Sequence, residues 1–225
     1  PCGDFGSLRF SPLPGSRAEA EMVASLWRSV PAQSSAGAPA TLLIGPEASE
    51  DRLKEEAPRH SVLHLATHGF FLGDRCPAGS TPGRRDQPGR DANLWPSGVS
   101  PLLLSGLALA GANRREGRGP ADARHEDGIL TAEEVASLDL GGVSWVVLSA
   151  CGSGLGEARA GEGVLGLRRA FQIAGARSLI TSLWEVDDAS ARSWIGALYR
   201  SRLRGATTAE AARQASVDVL AERRR

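Results

Sequence analysis

The apolar run VSWVVLSAC at residues 143–151 constrains the fold of this chain more than any other segment. It is rich in β-branched residues and ends abruptly in CGSGLG, which is typical of a strand that is buried on both faces. Strands of this kind belong to parallel sheets that are covered by helices on both sides. The run therefore predicts the central strand of such a sheet.

Strand and helix patterns alternate along the rest of the chain. Further buried strands are predicted at three short apolar runs, 41–44, 61–69 and 177–184. Apolar residues at helical spacing predict helices in five places, near 22–30, 47–57, 164–174, 194–199 and 207–220. This alternation predicts an α/β fold with a mostly parallel central sheet and helices on both faces, whose active site lies at the carboxyl ends of the strands.

Local signals mark several helix ends and loops. The turn at Pro14 opens the first helix, Thr131 begins a Thr-x-x-Glu capping box before a short helix, and Gly175 can cap another helix. The segment 101–111 predicts a strand or hairpin. Two long stretches that are rich in Gly, Pro, Arg and Asp are predicted to be surface loops, 73–97 and 111–128.

Composition limits the classes of partner. The chain has 26 Lys and Arg residues against 26 Asp and Glu residues, and it contains no run of 18 apolar residues. We therefore expect a globular domain that does not bind nucleic acid directly and does not associate with a membrane. Three scattered cysteines do not form a disulfide framework, which favours the cytoplasm. The chain starts without Met, and we expect residues 1–225 to be one domain excised from a longer protein.

Two predicted strands end in reactive side chains, His68 and Cys151, and a glycine follows each of them. Because parallel strands open onto the same edge of a sheet, this imidazole and this thiol can meet across a cleft. A thiol is mostly protonated at neutral pH, so a neighbouring imidazole makes it a useful nucleophile. The backbone N–H groups of Gly69 and Cys151 could bind an oxyanion. The alternative is that Cys151 is a small buried apolar residue and that His68 is a structural histidine whose hydrogen bonds are satisfied within the protein.

Three competing sites are weakly supported. The glycines 161, 163 and 166 match a dinucleotide fingerprint but do not directly follow a strand. His60, His64 and His68 would align zinc ligands on a helix, yet their segment predicts a strand, so we expect no metal. Ser153 lacks the G-x-S-x-G elbow of a serine hydrolase.

Four blocks of the sequence resemble the CHAT domain, a family of caspase-like cysteine peptidases. They are HLATHGFF, LSACGSGLG, GEGVLGLRRAFQIAGARSLITSLWEVDD and LYRSRLRG, and the resemblance covers about residues 12–221. It implies a caspase-like three-layer sandwich that needs no cofactor. It also implies that Cys151 is the nucleophile and His68 the general base or acid of a dyad that cleaves peptide bonds. Many members of the family have a sequence similar to Cys-Glu-Thr at the nucleophile, where this chain has Cys151, Gly152 and Ser153. This difference puts in doubt the contacts that the side chain after the nucleophile makes in the family.

The resemblance also indicates where a substrate side chain would bind. The resemblance to caspase-like folds implies that the first specificity pocket is formed by the residue two positions before the nucleophile and by a later segment. In this chain these are Ser149 and the segment from Trp184 to Asp188. A carboxylate at Asp187 or Asp188 could recognise a basic side chain of the substrate. The alternative is that one of the two carboxylates only caps the helix that begins there.

Two functions follow from these observations. The first is a cytoplasmic cysteine endopeptidase that acts on protein or peptide substrates and is controlled by a sensor or repeat region, or by a partner protein, outside this chain. The second is a catalytically silent or conditional module that acts through protein–protein contact. For the first function we expect weak activity or none from the isolated chain, and ordering of the loops 73–97 and 111–128 on activation.

Overall fold

The structure is a computed structural model and describes residues 8–30, 39–72, 101–114, 126–150, 160–182 and 186–224. The strands in these ranges are β1 (Val62–Ala66), β2 (His68–Phe71), β3 (Ser105–Ala108), β4 (Ile129–Thr131), β5 (Trp145–Ser149) and β6 (Leu179–Thr181). The α-helices in these ranges are α1 (Pro14–Arg28), α2 (Glu50–Glu56), α3 (Ala132–Ser137), α4 (Ala160–Ile173), α5 (Asp188–Leu203) and α6 (Thr208–Arg223).

A parallel sheet with the strand order β1-β5-β6 forms the middle layer. Alternate side chains of its central strand enter different hydrophobic clusters. Val146 and Leu148 pack with the α3 and α4 side, whereas Trp145 and Val147 pack with α1, α5 and α6. Each apolar side chain buried in this way contributes roughly 1.5–3 kcal/mol to folding. The α/β sandwich with helices on both faces is thus confirmed, and β5 has the predicted central position.

The predicted strand 61–69 is wrong in one respect, because it is two strands. The Thr67 backbone N–H still donates to the carbonyl of Ser149, at 3.2 Å, which continues the β1-β5 ladder by one bond. The Thr67 hydroxyl then donates to the carbonyl of Ala108, and the next residue, His68, pairs antiparallel with Ala108. The chain therefore changes partners at Thr67 and enters a second, antiparallel sheet with the order β2-β3-β4. His68 begins a strand instead of ending one.

The predicted strand at 41–44 is also wrong. These residues are extended, with φ −139° and ψ 152° at Ile44, but they are not part of either sheet. None of the four is buried. A strand needs a neighbouring edge that provides backbone partners, and apolar residues alone do not supply it. The segment instead lines an apolar groove of about 550 Å³ together with α1 and β1.

The local helix signals are confirmed. Pro14 occupies the first turn of α1, and Thr131 forms the reciprocal capping box with Glu134 at the start of α3. Gly175 follows α4 with φ +103°, a conformation in which an L side chain is strained. The predicted helix 47–57 is shorter than expected, because Ser49 caps α2 and the residues on both sides form 3₁₀ turns.

The predicted loop 73–97 and residues 115–125 of the predicted loop 111–128 lie outside the described residues. Among the helices that the structure describes, none combines the length and the apolar character that a bilayer crossing needs.

Candidate active site

The side chain of His68 is only 6% exposed and lies beneath the segment that leads into α1. Its Nε2 atom is 2.6 Å from the carbonyl oxygen of Ser11. A carbonyl oxygen can only accept a hydrogen bond, so Nε2 must carry the proton. In a neutral imidazole Nδ1 is then the unprotonated nitrogen. The contact therefore fixes the tautomer in which Nδ1 can accept a proton.

Residues 8–13 hold this carbonyl in place. The Phe10 ring lies against the His68 ring, with 5.6 Å between the centroids. The backbone of Phe10 exchanges two hydrogen bonds with the Asn113 side chain, at 2.9 and 2.8 Å. The sequence analysis missed Ser11, and no sequence signal could have found it, because every residue type carries the same carbonyl group.

Gly69 connects the His68 region to the end of β5. A Cβ atom added at Gly69 would lie 3.5 Å from the Cβ of Ala150, which directly precedes Cys151. Ala66 and Ser149 are register partners, so β1 and β5 end at the same edge of the sheet. Cys151 itself lies outside the described residues, as do Gly152, Ser153 and Trp184. The structure thus brings Gly69 to the residue before the predicted nucleophile.

A cavity of about 140 Å³ opens beside this edge. Its lining comes from the first turns of α1, the ends of β1 and β5, and the start of α5. Two of the predicted pocket residues, Ser149 and Asp188, share this lining. An engineered cavity of about 150 Å³ in another protein holds one benzene molecule, so this space suits a single side chain.

Asp187 does not line this cavity. It is exposed and is the N-cap residue of α5, where its carboxylate accepts the backbone N–H of Ser190 at 2.9 Å. Arg223 lies 3.3 Å from the same carboxylate. Hydrogen bonds from the hydroxyl and the backbone N–H of Ser190 hold the pKa of Asp187 below its usual range. The structure therefore shows the helix-capping role that was the alternative for this residue.

Two residues that the sequence analysis did not assign to this cavity lie beside it. Glu19 of α1 lines it and is 5% exposed, and its carboxylate is 2.9 Å from Nε2 of His64 on β1. The available signal was the position of Glu19, four residues before Val23, on the helix face whose other members are apolar. His64 appeared only within the rejected zinc pattern.

Comparison with known proteins decides the family. The sequence model of the CHAT domain matches residues 2–225. This chain belongs to the CHAT domain family. CHAT domains are a caspase-like family, in agreement with the sandwich described above.

One similar curated protein is tetratricopeptide repeat protein 28 of Homo sapiens, which is 28% identical over 197 residues. The alignment covers 87% of this chain and 7% of that protein. The chain therefore spans a small part of the length of this relative. No solved structure matches.

The competing sites find no support in the described part of this CHAT domain. Glycines 161, 163 and 166 lie within α4 and do not form a strand-to-helix turn. The three histidines have separate partners, since His60 lies 3.4 Å from Glu56, His64 contacts Glu19, and His68 contacts the Ser11 carbonyl. They do not converge on one point as zinc ligands would.

A second charged cluster is formed by residues that do not line this cavity. Three carboxylates, those of Glu50, Glu126 and Glu134, surround the Lys54 ammonium group at 2.9, 2.8 and 2.9 Å. Their oxygens are close enough to hold a metal ion, but Lys54 occupies the centre of the cluster. The cluster ties α2 to the start of α3. Burial raises the pKa of Glu50 to about 8, despite the hydrogen bond from Lys54.

Proposed function

We propose that this CHAT domain is a cysteine endopeptidase in which Cys151 attacks the substrate carbonyl and His68 transfers the protons. The observation that carries the proposal is the hydrogen bond from Nε2 of His68 to the Ser11 carbonyl, which places the ring proton on Nε2 and makes Nδ1 the nitrogen that accepts a proton. The approach of Gly69 to Ala150 supports it, because Cys151 is the next residue of the chain. A carbonyl in this role explains why the dyad needs no third carboxylate.

Each step then has an assigned group. The thiol of Cys151 gives its proton to Nδ1 of His68, and the thiolate attacks the peptide carbonyl carbon. The backbone N–H groups of Gly69 and Cys151 would stabilise the tetrahedral oxyanion. The imidazolium returns its proton to the departing amine, which leaves a thioester on Cys151. Water, deprotonated by His68, hydrolyses this thioester and restores the thiol.

The substrate side chain before the cleaved bond would enter the cavity lined by Ser149 and Asp188. A carboxylate at the cavity entrance favours a basic residue there, and arginine gains most because its planar group can pair with a carboxylate at two points. Trp184 is kept as a proposed wall of the same pocket. Asp187 serves the pocket through α5, since it caps the helix on which Asp188 is the first residue.

One observation favours a conditional form of this activity. The His68 ring is almost fully buried under Phe10, so a substrate needs local opening to reach it. The relative named for its tetratricopeptide repeats supports control by a repeat region, which would open the cleft and order the loops 73–97 and 111–128. The second candidate function, a silent module for protein–protein contact, would keep this closed state permanently.

Cleavage of an unbiased peptide library, followed by mass spectrometry, tests the proposal. We expect the parent chain to produce cleavages, even at a low rate, and Cys151→Ala and His68→Ala to produce none above background. Cys2→Ala and His60→Ala are matched controls that should retain the parent pattern. Cleavage by Cys151→Ala or by His68→Ala at the parent rate would refute the peptidase.

A further inference from the structure

The cavity beside the sheet edge contains a buried carboxylate that the proposed mechanism does not use. Glu19 lines this cavity and is 5% exposed, whereas Asp188, which also lines it, is exposed. Asp188 lies over the start of α1, because a Cβ atom at Gly15 would come within 2.6 Å of its Oδ2. Glu19 is one helical turn further along α1, about 6 Å along the axis. The two carboxylates therefore mark the mouth and the inner end of one cavity.

The contact with His64 engages one of the two carboxylate oxygens of Glu19, Oε1. Nε2 of His64 is 2.9 Å from the carboxylate and donates to it. Nδ1 of the same ring is buried and has no hydrogen-bond partner among the described residues. Because a buried N–H group without an acceptor is unfavourable, the surroundings favour the tautomer of His64 that carries its proton on Nε2. In the described part of the chain, no arginine or lysine lies within salt-bridge distance of Glu19.

A buried carboxylate at the end of a cavity, with one histidine contact and no arginine or lysine partner among the described residues, is a site for a cation. The walls between mouth and floor include Ala66 and Ala191, which are small and apolar. Such walls suit an unbranched aliphatic chain, and the depth of about one helical turn requires a long one. A guanidinium group matches the floor best, because it remains charged when it loses water and pairs with a carboxylate in a planar arrangement.

We propose that Glu19, positioned by His64, is the specificity-determining residue of this cavity and binds the guanidinium group of an arginine side chain. This inference rests on the proposed function, because it names the substrate group that the same cleft accepts. It assigns the inner contact to α1, which the sequence analysis did not connect with the pocket. Asp188 then meets the side chain at the entrance and contributes less, since its charge is screened by solvent.

The experiment measures binding and does not depend on turnover. The Cys151→Ala chain is titrated by isothermal titration calorimetry with agmatine, which has a guanidinium group at one end of a four-carbon stem and an ammonium group at the other. We expect saturable binding, and an affinity at least about 10-fold weaker for N-carbamoylputrescine, in which an uncharged urea group replaces the guanidinium. Glu19→Gln should weaken agmatine binding at least about 10-fold, and Asp188→Asn about threefold.

Glu21→Gln is the matched control, because Glu21 lies on the same helix, is half-exposed and pairs with Arg17. It should bind agmatine like the parent. Ala191→Leu fills the cavity without changing Glu19 or His64 and should abolish binding, so the test survives if Glu19→Gln does not fold. The inference is overturned if the parent does not bind agmatine, if Glu19→Gln and Glu21→Gln bind equally, or if Ala191→Leu binds normally.

The inference and the peptidase can fail separately. Agmatine binding that depends on Glu19, together with peptide cleavage that persists at the parent rate in Cys151→Ala, would support the cation site and refute the peptidase. If the parent chain cleaves peptides and Glu19→Gln binds agmatine as tightly as the parent does, the peptidase is supported and the role of Glu19 is refuted.

Discussion

At the scale of single residues, a backbone atom has a role that a sequence cannot display. The Ser11 carbonyl fixes the proton on Nε2 of His68, and its position depends on the hydrogen bonds between Phe10 and Asn113. Histidine and cysteine are distinctive residue types, so the sequence can single out His68 and Cys151 as candidates. The predicted position of His68 was wrong, because His68 begins β2 instead of ending a strand. The residue that orients the histidine could not be predicted, because the contact does not depend on its side chain.

This difference gives a paired prediction. Ser11→Ala retains the carbonyl and should leave the rate of peptide cleavage within about twofold of the parent. His68→Ala removes the proton acceptor and should lower the rate by about 10²–10⁴-fold, the usual contribution of general acid–base catalysis. Steady-state rates on one cleaved library peptide provide the measurement. A large loss in Ser11→Ala would mean that its hydroxyl, and not its carbonyl, serves the site.

The two neighbouring aspartates, Asp187 and Asp188, have different roles, although their sequence context is nearly identical. Asp187 caps α5, so Asp187→Ala should lower the free energy of unfolding and the urea midpoint, with little effect on substrate preference. Asp188→Ala should reduce the preference for arginine over a neutral residue at the cleaved position by about threefold, with little change in stability. Urea denaturation and matched peptides separate the two effects. A changed preference in Asp187→Ala alone would move the pocket to that residue.

At the scale of elements, the signals that act over one helical turn predicted the structure well. The capping box at Thr131, the proline at the start of α1 and the glycine after α4 are all where the sequence predicts them. The prediction of a strand at 41–44 was wrong because strand pairing depends on a partner that is distant in the sequence. The change of strand partner at Thr67 was missed for the same reason. Element types were therefore more predictable than strand neighbours.

The charged cluster between α2 and α3 predicts a pH dependence. Glu50 has a pKa of about 8 in the folded chain, chiefly because it is buried, whereas its unfolded value is near 4.5. A folded pKa above the unfolded one means that this contribution to stability is complete below about pH 4.5 and is lost as the pH rises through about 8. This group alone should lower the free energy of unfolding by about 1 kcal/mol between about pH 7 and pH 9.

Glu50→Gln tests this dependence, because an amide mimics the protonated acid and does not ionise. Urea denaturation at several pH values should show a flatter profile for Glu50→Gln than for the parent. Glu55→Gln is the control, since Glu55 is an exposed carboxylate on the same helix. Parallel profiles for the parent and Glu50→Gln would show that Glu50 is ionised in the folded chain.

At the scale of the whole molecule, the sheet and the helices on both of its faces converge on one edge. β1 and β5 end there together, α1 contributes Glu19 and the approach to His68, and α5 contributes Asp188. The sequence predicted this edge from the alternation of strands and helices. It did not predict the part that α1 has in the cleft, because that contribution arises from packing between segments that are far apart in the chain.

The central claim is that Cys151 is a nucleophile activated by His68, and covalent labelling tests it most directly. One reaction per molecule suffices, so the expected weak turnover of this chain is no obstacle. A peptidyl acyloxymethyl ketone with arginine at its reactive end, read by intact-mass and peptide mass spectrometry, should add one adduct to Cys151. His68→Ala should be labelled at least about 100-fold more slowly than the parent, whereas His60→Ala should be labelled at the parent rate. No adduct on Cys151, or equal rates for the parent and His68→Ala, would contradict the claim.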